Sequence, residues 1–499
     1  MENIVELLYR SALQYPEQPC VVSASGMVTY REMLREVQSL MFTLYHEGVR
    51  RGERVIFYFR NSAEYIAAFF AVAALNAVAV PVNAANNIHH LQYIIDTTEP
   101  VLILVDNALM FGFSENSKNN TIKVRVLQSL VQWKREIDYV GNSMPNNTGN
   151  SAKTAMIIFT SGTSAMPKGV MLSHGNLLAN TYSILDYLHL THDDSVLVTI
   201  AFSYSYGNSL LLTHIASGGA LYLENYAAFP VKVIKSLKSI QPTGFSTVGS
   251  YLNLLLKVAP LESLGFSALK YITFAGEATN YNMLLQLQRL YPELKIFVMY
   301  GQTEASARLS FLPCELLAQK TGSVGKGINN VELKVVNERG GQVAPGETGE
   351  ILARGPNIMQ GYWRDEQGTK SVIQNGWLHT GDIATVDRDG YIFIQGRNND
   401  IIKYLGHRIS PMEVESCIDK IPGVYESAVI ETIHNGEVCI KAFVVTDGKV
   451  STEMIHEQLR IALPSFKRPA IIRITTEIPR TANGKIKRAA LREAELCVG

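Results

Sequence analysis

The chain has 499 residues, with 45 Lys+Arg against 45 Asp+Glu and a formal net charge of +0. That balance leaves no global field to recruit DNA or an anionic membrane. With 47% hydrophobic and 18% charged residues, disorder is excluded and large cores are affordable in apolar material. At ~150 residues per domain the length implies about three units. Cys20, Cys314, Cys417, Cys439 and Cys497 are scattered with no C-x-x-C pair. This excludes a disulfide scaffold and the common zinc knuckles, and it fits a reducing compartment.

The N-terminus, MENIVELLYRSALQYPE, carries acidic residues where a signal peptide needs a basic region and an apolar core, so a cytoplasmic protein is expected. The most apolar stretch, residues 65–82, is interrupted by Asn76 and Pro81 and is too short for a span of ~20 residues. Thr29, followed three residues later by Glu32, reads as a helix N-cap. Val55-Ile-Phe-Tyr-Phe reads as a buried strand, Glu64 to Leu75 as a buried helix, and Ala77-Val-Ala-Val-Pro as the next strand. This rhythm predicts a mostly parallel sheet covered by helices. Within 114–150 the Asn/Ser-rich ends read as loops. Apolar runs then resume at Met156, Ser195, Ala220, Lys270 and Lys295, each ending in small or polar residues, where open α/β sheets bind ligands. Beyond about 330, VELKVV, GEILARG and GYIFIQG predict a smaller β unit, and beyond about 400 helices and strands mix again. The fold class expected is α/β: a large N-terminal domain of layered sheets with a β-rich subdomain, then a small α+β domain. The polar stretch 396–400 is the candidate boundary, dividing 1–395 from 401–499.

Five segments carry chemistry. Thr160-Ser-Gly-Thr-Ser-Ala-Met-Pro-Lys-Gly169 follows a strand, offers backbone N–H groups and a lysine, and suits polyphosphate without being a Walker A loop. Tyr300-Gly-Gln-Thr-Glu304 groups a ring, a hydroxyl and a carboxylate that could stack a base, touch a phosphate and hold Mg²⁺. Trp377-Leu-His-Thr-Gly-Asp382 puts a carboxylate after an expected tight turn. Residues 396–411 are rich in turns and bases, and Pro479-Arg-Thr-Ala-Asn-Gly-Lys-Ile-Lys-Arg488 sets four bases beside a Gly turn. Taken singly, the first reads equally as a plain loop, and the others read more readily as a polar turn, a capping Asp, a solvated linker and a solvated charge run.

In this order and at these separations the five segments resemble the adenylate-forming superfamily of acyl-CoA synthetases, peptide-synthetase adenylation domains and luciferases, over nearly the whole chain. The resemblance implies an AMP-forming acid–thiol ligase. ATP and a small carboxylic acid would yield acyl-AMP and pyrophosphate, and a thiol of CoA or of a phosphopantetheinyl carrier protein would then displace AMP. It also implies roles. Thr160, Ser161, Gly162, Thr163, Ser164 and Lys168 would cradle the β- and γ-phosphates. Gly276, Glu277 and Ala278 would lie along the adenine, and Tyr300 would stack on it. Thr303 would contact the α-phosphate and Glu304 would hold Mg²⁺. Asp382 and Arg397 would bind the ribose, and Lys485 would reach the reacting carboxylate. The small domain would rotate about Asn399, where the family usually has Asp or Lys, and would bring Gly406 and Arg408 to the thiol side. The phosphate loop departs from the family at Ser164-Ala165, where Thr-Gly is common.

The acid pocket implied by the resemblance includes Ser203, Tyr204, Gly207, Val248, Ala275, Met299 and Arg308. Amino-acid adenylation domains usually have Asp where this chain has Ser203, and many acyl-CoA synthetases have His where it has Tyr204. A standard α-amino acid is therefore disfavoured, though Glu277 could substitute as the anchor for an ammonium. An amino-acid adenylation enzyme loading a separate carrier protein is the alternative, since no carrier motif follows before Gly499. Tyr204, Tyr206, Phe245, Val248 and Met299 suggest an apolar or aromatic lining, or else plain core. Arg308 would favour a second acidic group if it faces the pocket, but an Arg there is more often on the surface. His214 reads as a satisfied helical His rather than a catalyst.

Overall fold

The Thr29 cap exists as read. Its side chain accepts from the Glu32 amide while Glu32 returns to the Thr29 amide, opening the helix Tyr30–His46. The helix Ala63–Ala74 is buried at every residue but Glu64, as an all-round apolar helix must be. In this computed structural model the described residues are 3–83, 88–106, 109, 123–127, 151–160, 167–276, 280–404, 407–434, 437–480 and 486–496.

Two large sheets draw most of their strands from the first three hundred residues. One has seven strands in the order Gly361–Tyr362, Lys168–Ser173, Thr154–Thr160, Val78–Asn83, Arg54–Phe59, Leu102–Asp106 and Lys123–Leu127. Its last five are mutually parallel. The other has nine strands and a parallel centre of Lys295–Tyr300, Tyr271–Phe274, Gly244–Thr247, Ser195–Val198, Ala220–Leu223 and Pro19–Ser23. One continuous core joins both: Phe57 and Val55 of the first, Val196 and Phe202 of the second, and Ile351 and Ala384 of the β unit.

The β unit consists of Glu332–Val336, Thr348–Arg354, Ile373–Gln374, Trp377–Val386 and Ile392–Arg397, all antiparallel. The tight turn expected before Asp382 is instead a bulge inside the strand Trp377–Val386. Glu350 opposes Ile383 while Leu352 opposes His379, and Gly381 takes φ +72, a conformation open to glycine at little cost. The C-terminal part has its own core, including Ile402, Val414, Val429, Ile440 and Leu459. It is built from the helices Pro411–Ile418 and Thr452–Ala462 against the sheet Val424–His434, Glu437–Thr446, Ile471–Ile474. The Asn-rich ends read as loops, 114–120 and 141–150, lie outside the described residues. No described helix is long and apolar enough to cross a membrane.

Candidate active site

Parallel pairing brings the carboxyl ends of Ser195–Val198, Gly244–Thr247, Tyr271–Phe274 and Lys295–Tyr300 to one edge of the nine-stranded sheet, the edge where such sheets bind ligands. After Tyr300 the chain folds back on itself, and the Leu309 amide donates to the Tyr300 carbonyl at 2.8 Å. Gly301 permits that fold: a Cβ there would sit 1.9 Å from the Ala307 carbonyl oxygen. Ser306 and Ala307 take φ of +59° and +128°, strain that persists only when surrounding structure holds it.

The Tyr300 phenol donates to Asp382 Oδ2 at 2.6 Å. Asp382 faces Arg397 across the antiparallel pair, with Arg397 Nε 3.2 Å from Oδ1. Burial, and then the neighbouring Asp382 charge, push the Tyr300 phenol well above its usual range, so it stays a neutral donor. The Asp382 carboxylate, and more weakly Glu304 and Asp400, raise the Arg397 guanidinium above its usual range against the opposing effect of burial. Those influences tie Arg397, Tyr300, Asp382 and Glu304 into one cluster.

Glu304 accepts from the Tyr362 phenol at 2.9 Å. Lys168 Nζ lies 4.7 Å from the Tyr362 ring centre and 3.5 Å from Asp365 Oδ2. Thr303 Oγ1 is 3.3 Å from Ser205 Oγ at the start of the helix Ser205–Ser217. Thr160 and Lys168 pair across adjacent strands, so the phosphate-loop motif is the connection of a hairpin. Among the described residues no group of three His, Cys, Asp or Glu is placed to hold a metal. A single carboxylate such as Glu304, with one oxygen taken by Tyr362, suits a Mg²⁺ whose remaining ligands are phosphates and water.

The acid-pocket residues divide. Ala275 and Met299 share one apolar cluster with Tyr187 and Tyr206 on one face of the sheet. Val248 approaches Gly276, which takes φ +92. Phe245 belongs to the core on the opposite face, with Ile272, Phe274 and Val298. Gly207 is needed for packing, since a Cβ there would lie 2.1 Å from the Ala201 carbonyl oxygen. Ser203 is buried and its hydroxyl has no partner. Tyr204 accepts from the Asn83 amide. Arg308 is not a surface residue: it is 2% exposed. His214 is satisfied within its helix and by Tyr271, with Nδ1 2.9 Å from the Leu210 carbonyl and Nε2 2.9 Å from the phenol.

Ser161, Gly162, Thr163, Ser164, Glu277, Ala278, Gly406 and Lys485 lie outside the described residues. Asn399 falls in the single turn Asn398–Asp400 and Arg408 on the strand His407–Ile409. The sequence reading missed Tyr362 and Asp365, whose contacts with Glu304 and Lys168 span long separations that no local pattern signals. It also missed Asn61, which accepts from the Phe202 amide at 2.8 Å and donates to the Ile200 carbonyl at 2.9 Å, fixing the loop ahead of Ser203.

Two family models match the chain: one described as AMP-binding enzyme, over residues 8–363, and one as AMP-binding enzyme C-terminal domain, over residues 413–485. A 2-succinylbenzoate–CoA ligase of Bacillus cereus is 30% identical over 498 residues, 99% of each chain. A feruloyl-CoA synthase of an Amycolatopsis species is 30% identical over 489 residues, 97% of each. Among solved structures, o-succinylbenzoate CoA synthetase of Bacillus subtilis in complex with its acyl-adenylate intermediate superposes with a TM-score of 0.84 at 25% identity, covering 97% of both chains.

Proposed function

Because the chain belongs to the AMP-binding enzyme family, we propose that the cluster of Tyr300, Asp382, Arg397, Glu304 and Lys168 is its nucleotide site. The enzyme is an AMP-forming, acyl-CoA synthetase-like ligase that activates a carboxylic acid with ATP and passes the acyl group to a thiol. The reading of the site rests on one observation: a buried phenol, a carboxylate and a guanidinium are joined in line at the strand edge, beside a second carboxylate.

In this reading Tyr300 flanks the adenine with its ring while its hydroxyl holds Asp382. Asp382, held also by Arg397, accepts from the ribose hydroxyls. Thr303 donates to the α-phosphate, and Lys168 with the 160–164 loop holds the β- and γ-phosphates in line as the leaving group. Both reactants are anions, so the barrier is largely electrostatic, and Lys168 and Lys485 offset the charge that develops. Mg²⁺, held by Glu304 and the phosphates, would supply further charge neutralisation. No general base is required, because the acid is already ionised at pH 7. We take residues 1–395 as the nucleotide- and acid-binding domain, 396–400 with Asn399 as the hinge, and 401–499 as the domain that turns Gly406 and Arg408 toward the thiol.

CoA is the acceptor we favour over a carrier protein, since both relatives named above form CoA thioesters by name. Tyr206, which packs in the cluster of Ala275 and Met299, also carries Arg308 over its ring, a cation that would repel an α-ammonium. The test is ATP–pyrophosphate exchange across fatty, aryl and amino acids, followed by CoA addition. Exchange that depends on a non-amino acid, then a CoA thioester, is expected. No exchange with any acid would refute the reading.

A further inference from the structure

Arg308 carries a desolvated positive charge with no counter-ion among the described residues. It is 2% exposed, and no carboxylate among the described residues forms an ion pair with it. Its Nε has no hydrogen-bond partner. Its guanidinium carbon lies 5.1 Å from the centre of the Tyr206 ring, and the neutral Tyr187 phenol oxygen accepts from the guanidinium. Neither ring supplies an anion, because burial pushes both phenols above their usual range. Their protons are committed elsewhere: Tyr206 to Thr273 Oγ1 at 2.8 Å and Tyr187 to Met299 Sδ at 3.1 Å. A ring face accepts none of the in-plane N–H groups of a guanidinium, and the neutral Tyr187 oxygen accepts only one of its five. A buried charge left in this state is costly.

The position of Arg308 makes that cost meaningful. Its Cα would lie 2.9 Å from a Cβ on Gly301, so its backbone backs directly onto the Tyr300–Glu304 segment. Successive residues of one helix divide the site: Ser205 meets Thr303, and Tyr206 meets Arg308. Ala275 and Met299 share the Tyr206 and Tyr187 cluster. The Arg308 carbonyl is clamped by the amides of Asn180 at 3.1 Å and Asn357 at 2.7 Å, which fixes the base of the side chain before any ligand arrives. The guanidinium fork matches a carboxylate with two parallel hydrogen bonds.

We propose that Arg308 receives a second carboxylate on the acid, so that the enzyme selects dicarboxylic acids and activates the carboxylate nearer Thr303 while Arg308 holds the other. This deepens the acid–thiol ligase reading and rests on it. The chemistry at phosphorus is unchanged; the second carboxylate forms no covalent bond and loses no proton.

The test pairs each dicarboxylic acid of an aliphatic and aromatic panel with its own mono-amide, which keeps size and removes one charge. Two readouts are taken, acid-dependent ATP–pyrophosphate exchange and calorimetric binding of the acid alone, on wild type, Arg308→Lys and Arg308→Leu. In wild type the dicarboxylate should bind and exchange at least ~100-fold better than its mono-amide, the size expected for a buried charge pair. Arg308→Leu should erase that ratio, mainly through KM, and Arg308→Lys should restore part of it. Equal treatment of the two acids by the wild type overturns the proposal, and needs no variant to fold. So does a ratio that survives Arg308→Leu. Dicarboxylate binding that is lost in Arg308→Leu, without exchange by any acid, supports Arg308 as the anion receptor and instead sinks the ligase reading of the site.

Discussion

Tyr300→Phe tests the nucleotide cluster with the least disturbance. The ring stays in place, and only the hydroxyl that donates to Asp382 at 2.6 Å is removed. A hydrogen bond to a charged acceptor contributes ~1.5–3 kcal/mol. Asp382 keeps Arg397 at 3.2 Å and loses one of its two holders, so the lower half of that range is expected for stability. A less constrained Asp382 should weaken ribose binding by ~1.4 kcal/mol, a tenfold rise in the KM for ATP. Urea unfolding and the ATP dependence of pyrophosphate exchange measure the two effects. The decisive quantity is the coupling in a double-mutant cycle with Asp382→Asn, expected near ~1.5 kcal/mol. Coupling below ~0.3 kcal/mol would mean that the two sites are additive, and the argument for a phenol-held ribose acceptor would fail.

Gly301→Ala places a methyl group 1.9 Å from the Ala307 carbonyl oxygen. The loop must move, so a loss of ~2 kcal/mol or more in urea unfolding is expected, with exchange activity falling alongside; unchanged stability and activity would contradict the close approach. Burial lowers His214 and His174 to about 4. The unfolded chain therefore binds more protons between ~pH 4 and ~pH 6.5, and these residues' contribution is present above that window and lost as pH falls through it. The urea midpoint should drop on acidification, less steeply in His214→Gln; identical slopes would refute the assignment. Burial raises Asp419 to about 7, the opposite sign: its contribution is lost as pH rises toward 7, so Asp419→Asn should stabilise the C-terminal core at pH 8 by calorimetry. Lys485→Ala should abolish adenylation yet leave thioester formation from supplied acyl-AMP largely intact, and equal loss of both half-reactions would count against its proposed role.

What the linear order of residues determined by itself was local or ordinal. The Thr29–Glu32 cap, the apolar runs that became parallel strands, and the order of five polar segments along the chain could all be read without tertiary knowledge, because capping, strand propensity and loop chemistry act over a few residues. Tertiary structure alone decided which of these met. Tyr300 finds Asp382 82 positions away, and Tyr362 finds Glu304 across 58, through contacts between separate sheets. The face each strand residue presents was equally hidden. Gly244–Thr247 and Tyr271–Phe274 are buried throughout, so no polar alternation distinguishes the Phe245 side, which is core, from the Met299 side, which faces Tyr206. The same covered sheet explains Arg308. A charged residue reads as surface until long-range packing buries it, and only then does the lack of a counter-ion among the described residues support the proposal about the substrate.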